Sequence, residues 1–289
     1  MIVVTTPTGS IGHQVLIALA DSDEEIRVIA RDPGRLDPRL RPRVEVVQGS
    51  TTDREVVAAA LKGADSVFWL VPPDPSASSV PGHVLEFVTP LCAALDEVDR
   101  VVAVSSLGRG HGRKAGQISA IFAMDALIES SGVHYRSLCP PGFMDNLLHQ
   151  VDSIRDTGAF FGTITGDLPL PSCATRDIAA TASRLLLDRS WTGQDSIEIR
   201  GPEDLSHHDM ARIMSEVLGR PIHYRQISAA DQKAALTGHG VSAAWAQGLI
   251  DMSTAVENGL YDTPRTPESY SPTGFRQWCA DVLAPAVVG

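Results

Sequence analysis

The sequence of 289 residues predicts an α/β fold with a doubly wound parallel sheet and a smaller, mostly helical C-terminal lobe. Short β-branched runs alternate with segments of helical periodicity up to about residue 140. Two glycines lie at the first turn from strand to helix, where a Rossmann sheet binds its ligand. Beyond this region the alternation loosens. We therefore predict a Rossmann domain over residues 1–145 and a substrate-binding lobe over residues 146–289, interwoven with the first.

The first βαβ unit carries the most informative motif. A strand over residues 1–5 leads into Thr8-Gly9-Ser10-Ile11-Gly12, and a second strand follows over residues 26–30. The apolar face predicted for the intervening helix contains Ile11, Val15, Ala18 and Leu19. Gly9 permits a tight turn, and Gly12 permits a close approach of helix and strand. Because N–H groups at a helix N-terminus bind anions, the motif predicts a dinucleotide site. A tight turn without a ligand is the alternative.

The end of the second predicted strand bears on the choice of nucleotide. An acidic residue there binds the ribose 2′-hydroxyl of NAD, whereas a cation accommodates the 2′-phosphate of NADP. The chain has Arg31 at this position, and the guanidinium suits a phosphate. Asp32 follows directly, and its carboxylate suits the ribose 2′-hydroxyl of NAD instead. We favour NADP. The alternative is that Arg31 and Arg35 are merely solvated cations of the loop.

The remaining elements follow in order along the chain. Further strands are predicted over residues 44–49, 66–71, 100–106 and 134–138, and helices over residues 55–61, 84–95 and about 114–131. Asp53 is placed to open the first of these helices. In the C-terminal lobe, Ser206 and Asp209 have the spacing of a capping box, and Gly219 is placed to end the helix that they begin.

Composition narrows the classes of partner. The net charge is −11, and the chain has only three lysines and no long basic run, which argues against direct nucleic-acid binding. The sequence has neither a signal-peptide pattern nor an apolar stretch long enough for a bilayer, so we expect a cytoplasmic protein without a membrane partner. The four cysteines lack C-x-x-C spacing, and no disulfide framework or metal site is predicted. We expect a small-molecule substrate, and a homodimer is a further prediction.

Several segments together resemble the NmrA-like family of atypical short-chain dehydrogenases, over almost the whole chain. They are Thr8-Gly9-Ser10-Ile11-Gly12, Arg31-Asp32-Pro33, Val67-Phe68-Trp69-Leu70-Val71-Pro72, Ser105-Ser106, Ser131-Gly132-Val133-His134-Tyr135, Pro140-Pro141-Gly142-Phe143-Met144-Asp145-Asn146, Arg176-Asp177-Ile178-Ala179 and Gly201-Pro202-Glu203-Asp204-Leu205-Ser206. Their order and spacing are more specific than any one of them. The resemblance implies an NADP-binding Rossmann domain and a small C-terminal domain.

The resemblance also implies roles for individual residues. Thr8, Gly9, Ser10, Ile11 and Gly12 would line the pyrophosphate, Arg31 the 2′-phosphate, Val71 and Pro72 the adenosine side, Ser105 the nicotinamide ribose, and Phe143 and Asn146 the nicotinamide or substrate. From the residues themselves we expect a substrate cleft lined by Trp69, Phe143 and Met144. One position departs from the family, which often has an acidic residue where this chain has Ser50.

No catalytic group stands out. Short-chain dehydrogenases usually pair a tyrosine with a lysine four residues later. The residues four positions after Tyr135, Tyr224, Tyr261 and Tyr270 are Cys139, Ser228, Arg265 and Gly274, so that pair is absent from the sequence. Lys114 is a conceivable acid, and His111 and His149 are conceivable groups on the rim of the cleft. Segment 108–113 is rich in glycine and arginine. We interpret it as a loop that covers the cofactor, in preference to a second phosphate site.

The leading hypothesis is an NADPH-dependent reductase of a small aromatic or quinone-like substrate. A quinone needs no strong acid, since it can take the hydride first and a proton from solvent afterwards. The missing tyrosine–lysine pair leaves two alternatives open. One is an NADP(H)-sensing regulatory protein without turnover, and the other is a cofactor-bound enzyme of non-reductive chemistry.

Overall fold

The computed structural model describes residues 1–110 and 114–289. The strands are β1 (Ile2–Val4), β2 (Ile26–Ala30), β3 (Glu45–Gln48), β4 (Ala64–Trp69), β5 (Val98–Val104), β6 (His134–Cys139), β7 (Gly142–Phe143), β8 (Ala159–Gly162), β9 (Leu170–Cys173), β10 (Gln194–Glu198), β11 (Asp204–Leu205) and β12 (His223–Gln226). The α-helices are α1 (Ser10–Ala20), α2 (Arg54–Leu61), α3 (Val80–Cys92), α4 (Gln117–Ser130), α5 (Val151–Thr157), α6 (Thr175–Leu187), α7 (His207–Leu218), α8 (Ala229–Gly238), α9 (Ala243–Glu257), α10 (Phe275–Trp278) and α11 (Ala284–Val288).

Within the described residues, seven parallel strands form the central sheet in the order β10-β6-β5-β4-β1-β2-β3. The direction of winding reverses between β1 and β4, which is the switch point where such sheets bind ligands. One apolar layer joins the sheet to α1 and α6, and the other joins it to α2, α3 and α4. This arrangement confirms the doubly wound parallel sheet.

Strand β10 is an element that the sequence did not predict. It pairs with β6 from Gln194 opposite Tyr135 to Glu198 opposite Cys139. Its residues are mostly polar, and the first half is exposed, so the alternating apolar pattern of a half-buried strand is missing. Helix α6 likewise returns to pack on α1. Elements from beyond residue 146 therefore complete the first sheet, and the domain boundary at residue 145 stays a prediction.

The C-terminal part has its own apolar core, built around Met144, Ile154, Phe160, Met214, Phe275 and Trp278. The strand sets β11-β9-β7 and β12-β8 flank it. Helix α7 begins with the predicted capping box, because the Ser206 side chain accepts from the Asp209 N–H and the Asp209 side chain accepts from the Ser206 N–H. The helix ends at Gly219 with φ of 66°, a left-handed conformation that suits glycine. Both capping predictions are confirmed.

Several element predictions need correction, including β5, which ends at Val104 and not at residue 106, and α3, which begins at Val80 and not at residue 84. Ala18 is exposed on α1, and Leu16 takes its place in the core. Strand β4 ends at Trp69 and not at residue 71, because the Leu70 N–H donates to the side-chain oxygen of Thr5 and leaves the ladder of backbone bonds. Helix α4 begins at Gln117, later than predicted. Among residues 1–110 and 114–289, the helices are too short or too polar to cross a bilayer.

Candidate functional site

The turn between β1 and α1 leaves helix N–H groups available to an anion. Gly9 is the N-cap of α1, and no side chain of the described residues caps the helix there. Asp53 and Ser79, by contrast, cap α2 and α3 with their side chains. The first turn of α1 contains no acidic residue, and the turn residues from Thr8 to Ser10 are exposed. The positive end of the helix dipole is therefore open to a phosphate.

Close packing at this turn requires glycine. A Cβ atom on Gly12 would lie 2.2 Å from the backbone oxygen of Thr6 and 3.0 Å from that of Thr5. Thr6 has φ of 51°, which is uncommon for a threonine. Its buried hydroxyl has no hydrogen-bond partner among the described residues. The strained turn, the unpaired hydroxyl and the open helix end all fit a dinucleotide diphosphate.

At the end of β2, Asp32 and Arg31 have different surroundings. Asp32 Oδ1 accepts a hydrogen bond from the Gly34 N–H at 3.0 Å and caps the turn that follows. Arg31 is exposed. The pKa of Asp74 is lowered chiefly by hydrogen bonds from Ser76, with smaller contributions that include the positive charge of Arg31. Arg31 is thus an exposed cation at the end of β2, close enough to the β4–α3 loop for its charge to act on Asp74.

The residues after β4 divide into an accessible and a buried group. Val71 and Pro72 are half-buried, and the Pro72 carbonyl oxygen lies 2.7 Å from Nε2 of His83 on α3. Trp69 is fully buried in the layer between the sheet and α2, α3 and α4. Its ring has no accessible face, and this burial corrects the expectation that Trp69 lines the substrate cleft. Helices cover both faces of this sheet, so the Trp69 side chain is buried whichever face it lies on, and an aromatic residue at a strand end gave no local sign of that burial.

The end of β5 is joined to a buried carboxylate. Ser105 is 7% exposed, and its hydroxyl donates to Asp125 Oδ2 of α4 at 2.5 Å. Burial raises the pKa of Asp125, while hydrogen bonds from Ser105 and Tyr135 and the charge of Arg109 oppose that rise. The hydrogen bond to Asp125 therefore fixes the Ser105 side chain from the side of α4. The sequence offered no signal for the role of Asp125, because an aspartate inside an amphipathic helix ordinarily faces solvent.

The segment after β6 places its predicted residues differently. Phe143 is half-buried and Asn146 is exposed, so both are accessible. Met144 is 2% exposed and belongs to the C-terminal core, where its Cε lies 3.2 Å from the position of a Cβ on Gly201. Met144 is therefore buried in the C-terminal core, and the structure does not support the prediction that it contacts substrate. The chain turns here from β7 into a short 3₁₀ segment, and this turn directs Met144 inward.

An apolar wall beside the end of β5 was missed by sequence reasoning. We call the apolar wall the set Phe122, Ile164, Leu170 and Met252, which are half-buried and pack against the buried Leu107 and Tyr261. Gly108, with φ of 94°, approaches the Leu260 backbone so closely that a Cβ would lie 2.6 Å from its oxygen. Burial raises the pKa of Tyr261 to about 12, and the neighbouring Ser106 side chain partly opposes that rise. These residues come from four distant segments, and no local pattern connects them.

The other candidate acid–base groups are not gathered at the site. Arg265, four residues after Tyr261, donates to the Gly201 oxygen and pairs with Asp204. Lys114 and His149 are exposed. His207 stacks on Tyr224, with ring centroids 4.4 Å apart, inside the C-terminal lobe. His111 and residues 111–113 of the predicted loop lie outside the described residues.

Arg109, the first arginine of that loop, is already paired. Its guanidinium binds both carboxylate oxygens of Glu129, at 2.8 and 2.9 Å, and donates to the Ser196 hydroxyl at 2.7 Å. A guanidinium held in this way is not available as the centre of a second phosphate site. Ser50, where the family often has an acidic residue, shares a hydrogen bond of 2.8 Å with Thr52.

Comparison with known proteins places this geometry in context. The chain is 29% identical to a (4-alkanoyl-5-oxo-2,5-dihydrofuran-3-yl)methyl phosphate reductase from Streptomyces griseus, over 97% of both chains. It is 28% identical to an NAD(P)H azoreductase from Xenophilus azovorans, over 87% of this chain and 86% of that protein. The crystal structure of an NADPH-dependent quinone oxidoreductase from Escherichia coli complexed with NADPH has a TM-score of 0.78 and 23% identity, covering 100% and 99% of the two chains.

A family described as NAD(P)H-binding matches residues 7–189, which is more than half of the chain and includes the β1–α1 turn, Arg31 and Ser105. The match confirms the NAD(P)-binding fold that the resemblance implied. The open helix end and the glycine turn supply the physical basis for it. The chain belongs to the NAD(P)H-binding family.

Proposed function

We propose that the protein is an NADPH-dependent oxidoreductase that reduces a small aromatic or quinone-like acceptor. The observation that carries the proposal is the position of the apolar wall, which adjoins the end of β5 at the same edge of the sheet as the open N-terminus of α1. A flat apolar acceptor and a dinucleotide can then meet at one edge. The names of the Xenophilus and Escherichia relatives, an azoreductase and a quinone oxidoreductase, support the same class of substrate.

The proposed coenzyme site follows the carboxyl edge of the sheet. The segment Thr8-Gly9-Ser10-Ile11-Gly12 holds the diphosphate through the N–H groups of α1, and Arg31 binds the 2′-phosphate. Val71 and Pro72 contact the adenosine side, and Ser105 contacts the nicotinamide ribose. The hydrogen bond from the Gly34 N–H to Asp32 Oδ1 favours NADPH over NADH, because it leaves only one oxygen of that carboxylate for a ribose hydroxyl.

The proposed substrate site combines Phe143 and Asn146 with the apolar wall. The bound coenzyme supplies a hydride, and a proton completes the reduction of the acceptor. The apolar wall orients the acceptor and excludes water around it. Tyr261, with a pKa of about 12, keeps its proton at neutral pH and stays uncharged beside the acceptor. A quinone takes its proton from solvent, so the proposal requires no tyrosine–lysine pair.

A phosphorylated acceptor, as in the name of the Streptomyces relative, is less well supported. Arg109, a cation close to the end of β5, is paired with Glu129 and Asp125. We also propose a cytoplasmic location for the reaction. The homodimer stays a prediction, which light scattering on the purified protein would measure.

The proposal is tested by mixing the purified protein with NADPH or NADH and a panel of benzoquinones, naphthoquinones and azo dyes. We expect NADPH oxidation that depends on the acceptor and saturates with it. Tight binding of NADPH with no oxidation across the panel would refute the reductase and favour the sensor without turnover. Product formation with the reduced coenzyme unchanged would instead indicate non-reductive chemistry.

A further inference from the structure

A buried carboxylate lies directly behind Ser105. Asp125, on α4, is 0% exposed. Its Oδ2 atom accepts from the Ser105 hydroxyl at 2.5 Å and from the Ser137 hydroxyl at 3.3 Å, and its Oδ1 atom accepts from the Tyr135 hydroxyl at 2.6 Å. Arg109 Nε lies 3.6 Å from Oδ2. Ser105 and Arg109 follow β5, and Tyr135 and Ser137 lie within the adjacent strand β6, so the carboxylate joins these two strands beside the edge where the nicotinamide half would bind.

The geometry determines the direction of the Ser105 hydrogen bond. An ionised carboxylate can only accept, so Ser105 must donate its single proton to Asp125. The positive guanidinium of Arg109 stabilises the ionised form, and it is held in place by Glu129 and Ser196. The oxygen of Ser105 then has only lone pairs left. Toward the open side of the strand end, Ser105 is an acceptor and not a donor.

The position of Ser105 along the sheet selects one half of the coenzyme. Strands β1 and β4 separate β5 from β2, the strand that ends at Arg31. With strands about 4.8 Å apart, the ends of β2 and β5 are roughly 14 Å from each other. A dinucleotide whose adenosine phosphate is at Arg31 and whose diphosphate is at α1 therefore brings its other ribose toward Ser105. That ribose carries hydroxyl donors.

We propose that Asp125 is a positioning residue that fixes the Ser105 hydroxyl as a hydrogen-bond acceptor for a hydroxyl of the nicotinamide ribose. Asp125 itself is fully buried and touches no part of the coenzyme. The inference rests on the coenzyme placement in the proposed function and is independent of the acceptor that is reduced.

Asp125→Asn is the sharpest test because it reverses polarity at nearly constant volume. An asparagine that keeps its carbonyl oxygen toward Tyr135 directs its amide N–H toward Ser105, which then donates outward. Calorimetry would compare NADPH with 2′,5′-ADP, a fragment that contains only the adenosine phosphates. We expect the dissociation constant of NADPH to rise about tenfold, or about 1.4 kcal/mol, with that of 2′,5′-ADP unchanged. Ser105→Ala should weaken NADPH binding similarly, and adding Asp125→Asn to it should cause no further loss.

Asp177→Asn is the matched control, since Asp177 is also a buried aspartate that accepts from a neighbouring residue, Thr273. It should leave both affinities unchanged. The proposal is overturned if folded Asp125→Asn binds NADPH like the wild type, if it loses affinity for both ligands equally, or if its effect adds fully to that of Ser105→Ala.

Two further measurements keep the proposal falsifiable. If Asp125→Asn does not fold, Tyr135→Phe removes the donor to the other carboxylate oxygen and leaves the Ser105 bond in place. Tyr135→Phe should lower the melting temperature and keep NADPH affinity, whereas equal losses in Tyr135→Phe and Ser105→Ala would contradict the proposal. Failure of the wild type to bind either ligand would instead refute the coenzyme site itself.

With 3-acetylpyridine adenine dinucleotide phosphate, which lacks the amide donor, the effect of Asp125→Asn should persist. Its disappearance would assign the contact to the carboxamide and overturn the ribose assignment.

Discussion

The carboxylate of Asp32 accepts a hydrogen bond from the backbone N–H of Gly34, 3.0 Å away. This bond caps the turn after β2 and occupies one oxygen of the acidic group that would suit NADH. Arg31, one residue earlier, is left exposed at the same strand end. We therefore expect the coenzyme preference to depend on this local turn as well as on the identity of the two side chains.

Replacing Arg31 with alanine should reduce the preference for NADPH. A hydrogen bond to a charged group contributes about 1.5–3 kcal/mol, so we expect KM for NADPH to rise roughly 10- to 100-fold with little change for NADH. Steady-state kinetics with both coenzymes would measure the change. Arg35→Ala is the control, because Arg35 is a nearby exposed cation. An equal loss for both coenzymes would argue against a 2′-phosphate contact.

Gly12→Ala should disrupt the phosphate turn. The added Cβ would lie 2.2 Å from the backbone oxygen of Thr6, and a backbone atom cannot move aside without shifting β1 or α1. We expect a loss of stability of about 1–3 kcal/mol and a larger loss of coenzyme affinity, measured by urea unfolding and calorimetry. Gly238→Ala, at the end of α8, brings its new Cβ within 4 Å of no described residue outside its own stretch of helix and should lower neither quantity.

Substitutions at Trp69 and Phe143 should separate stability from substrate binding. Trp69 is fully buried in the core, so Trp69→Phe should lower stability by about 1–3 kcal/mol and leave KM for the acceptor unchanged. Phe143 is half-buried, and Phe143→Ala should raise KM for the acceptor with a smaller effect on stability. Urea unfolding and acceptor kinetics would be compared for the two variants. A rise in acceptor KM for folded Trp69→Phe would restore Trp69 to the substrate site.

His207 should make the protein less stable in mild acid. Burial, assisted by the neighbouring His208, lowers the pKa of His207 from 6.5 to about 4, and its buried Nδ1 atom has no partner among the described residues. The unfolded chain therefore binds the proton more readily. The contribution is fully present above pH 6.5 and is lost as the pH falls toward 4. From this group alone we expect unfolding to cost roughly 2 kcal/mol less at pH 5 than at pH 7.

Urea unfolding of the wild type and His207→Phe at the two pH values would measure that difference. Phenylalanine keeps the stacking on Tyr224 and cannot titrate, so the variant should show a weaker pH dependence. His149→Gln, a change at an exposed histidine, should behave like the wild type. Parallel pH profiles for His207→Phe and the wild type would show that His207 does not carry the effect.

Local signals accounted for much of the fold. Strand β2 has the predicted bounds, Asp53 caps α2, and the capping box of α7 lies where its spacing indicated. These features depend on residues within a few positions of one another, so a sequence pattern contains all of the interaction. Strand β10 has no such pattern, because its pairing with β6 comes from residues nearly sixty positions earlier, as in Gln194 opposite Tyr135.

The sequence by itself determined the parallel α/β sheet, the glycine turn before α1 and the cation at Arg31, because each depends on periodicity or on adjacent residues. The tertiary structure decided what reaches the site. It buried Trp69 and Met144, assembled the apolar wall from distant segments, and placed Asp125 behind Ser105. The physical reason is that burial and hydrogen-bond partners depend on which helix packs against which face of the sheet. This packing of helices on the sheet depends on the whole chain, and no short stretch of sequence determines it.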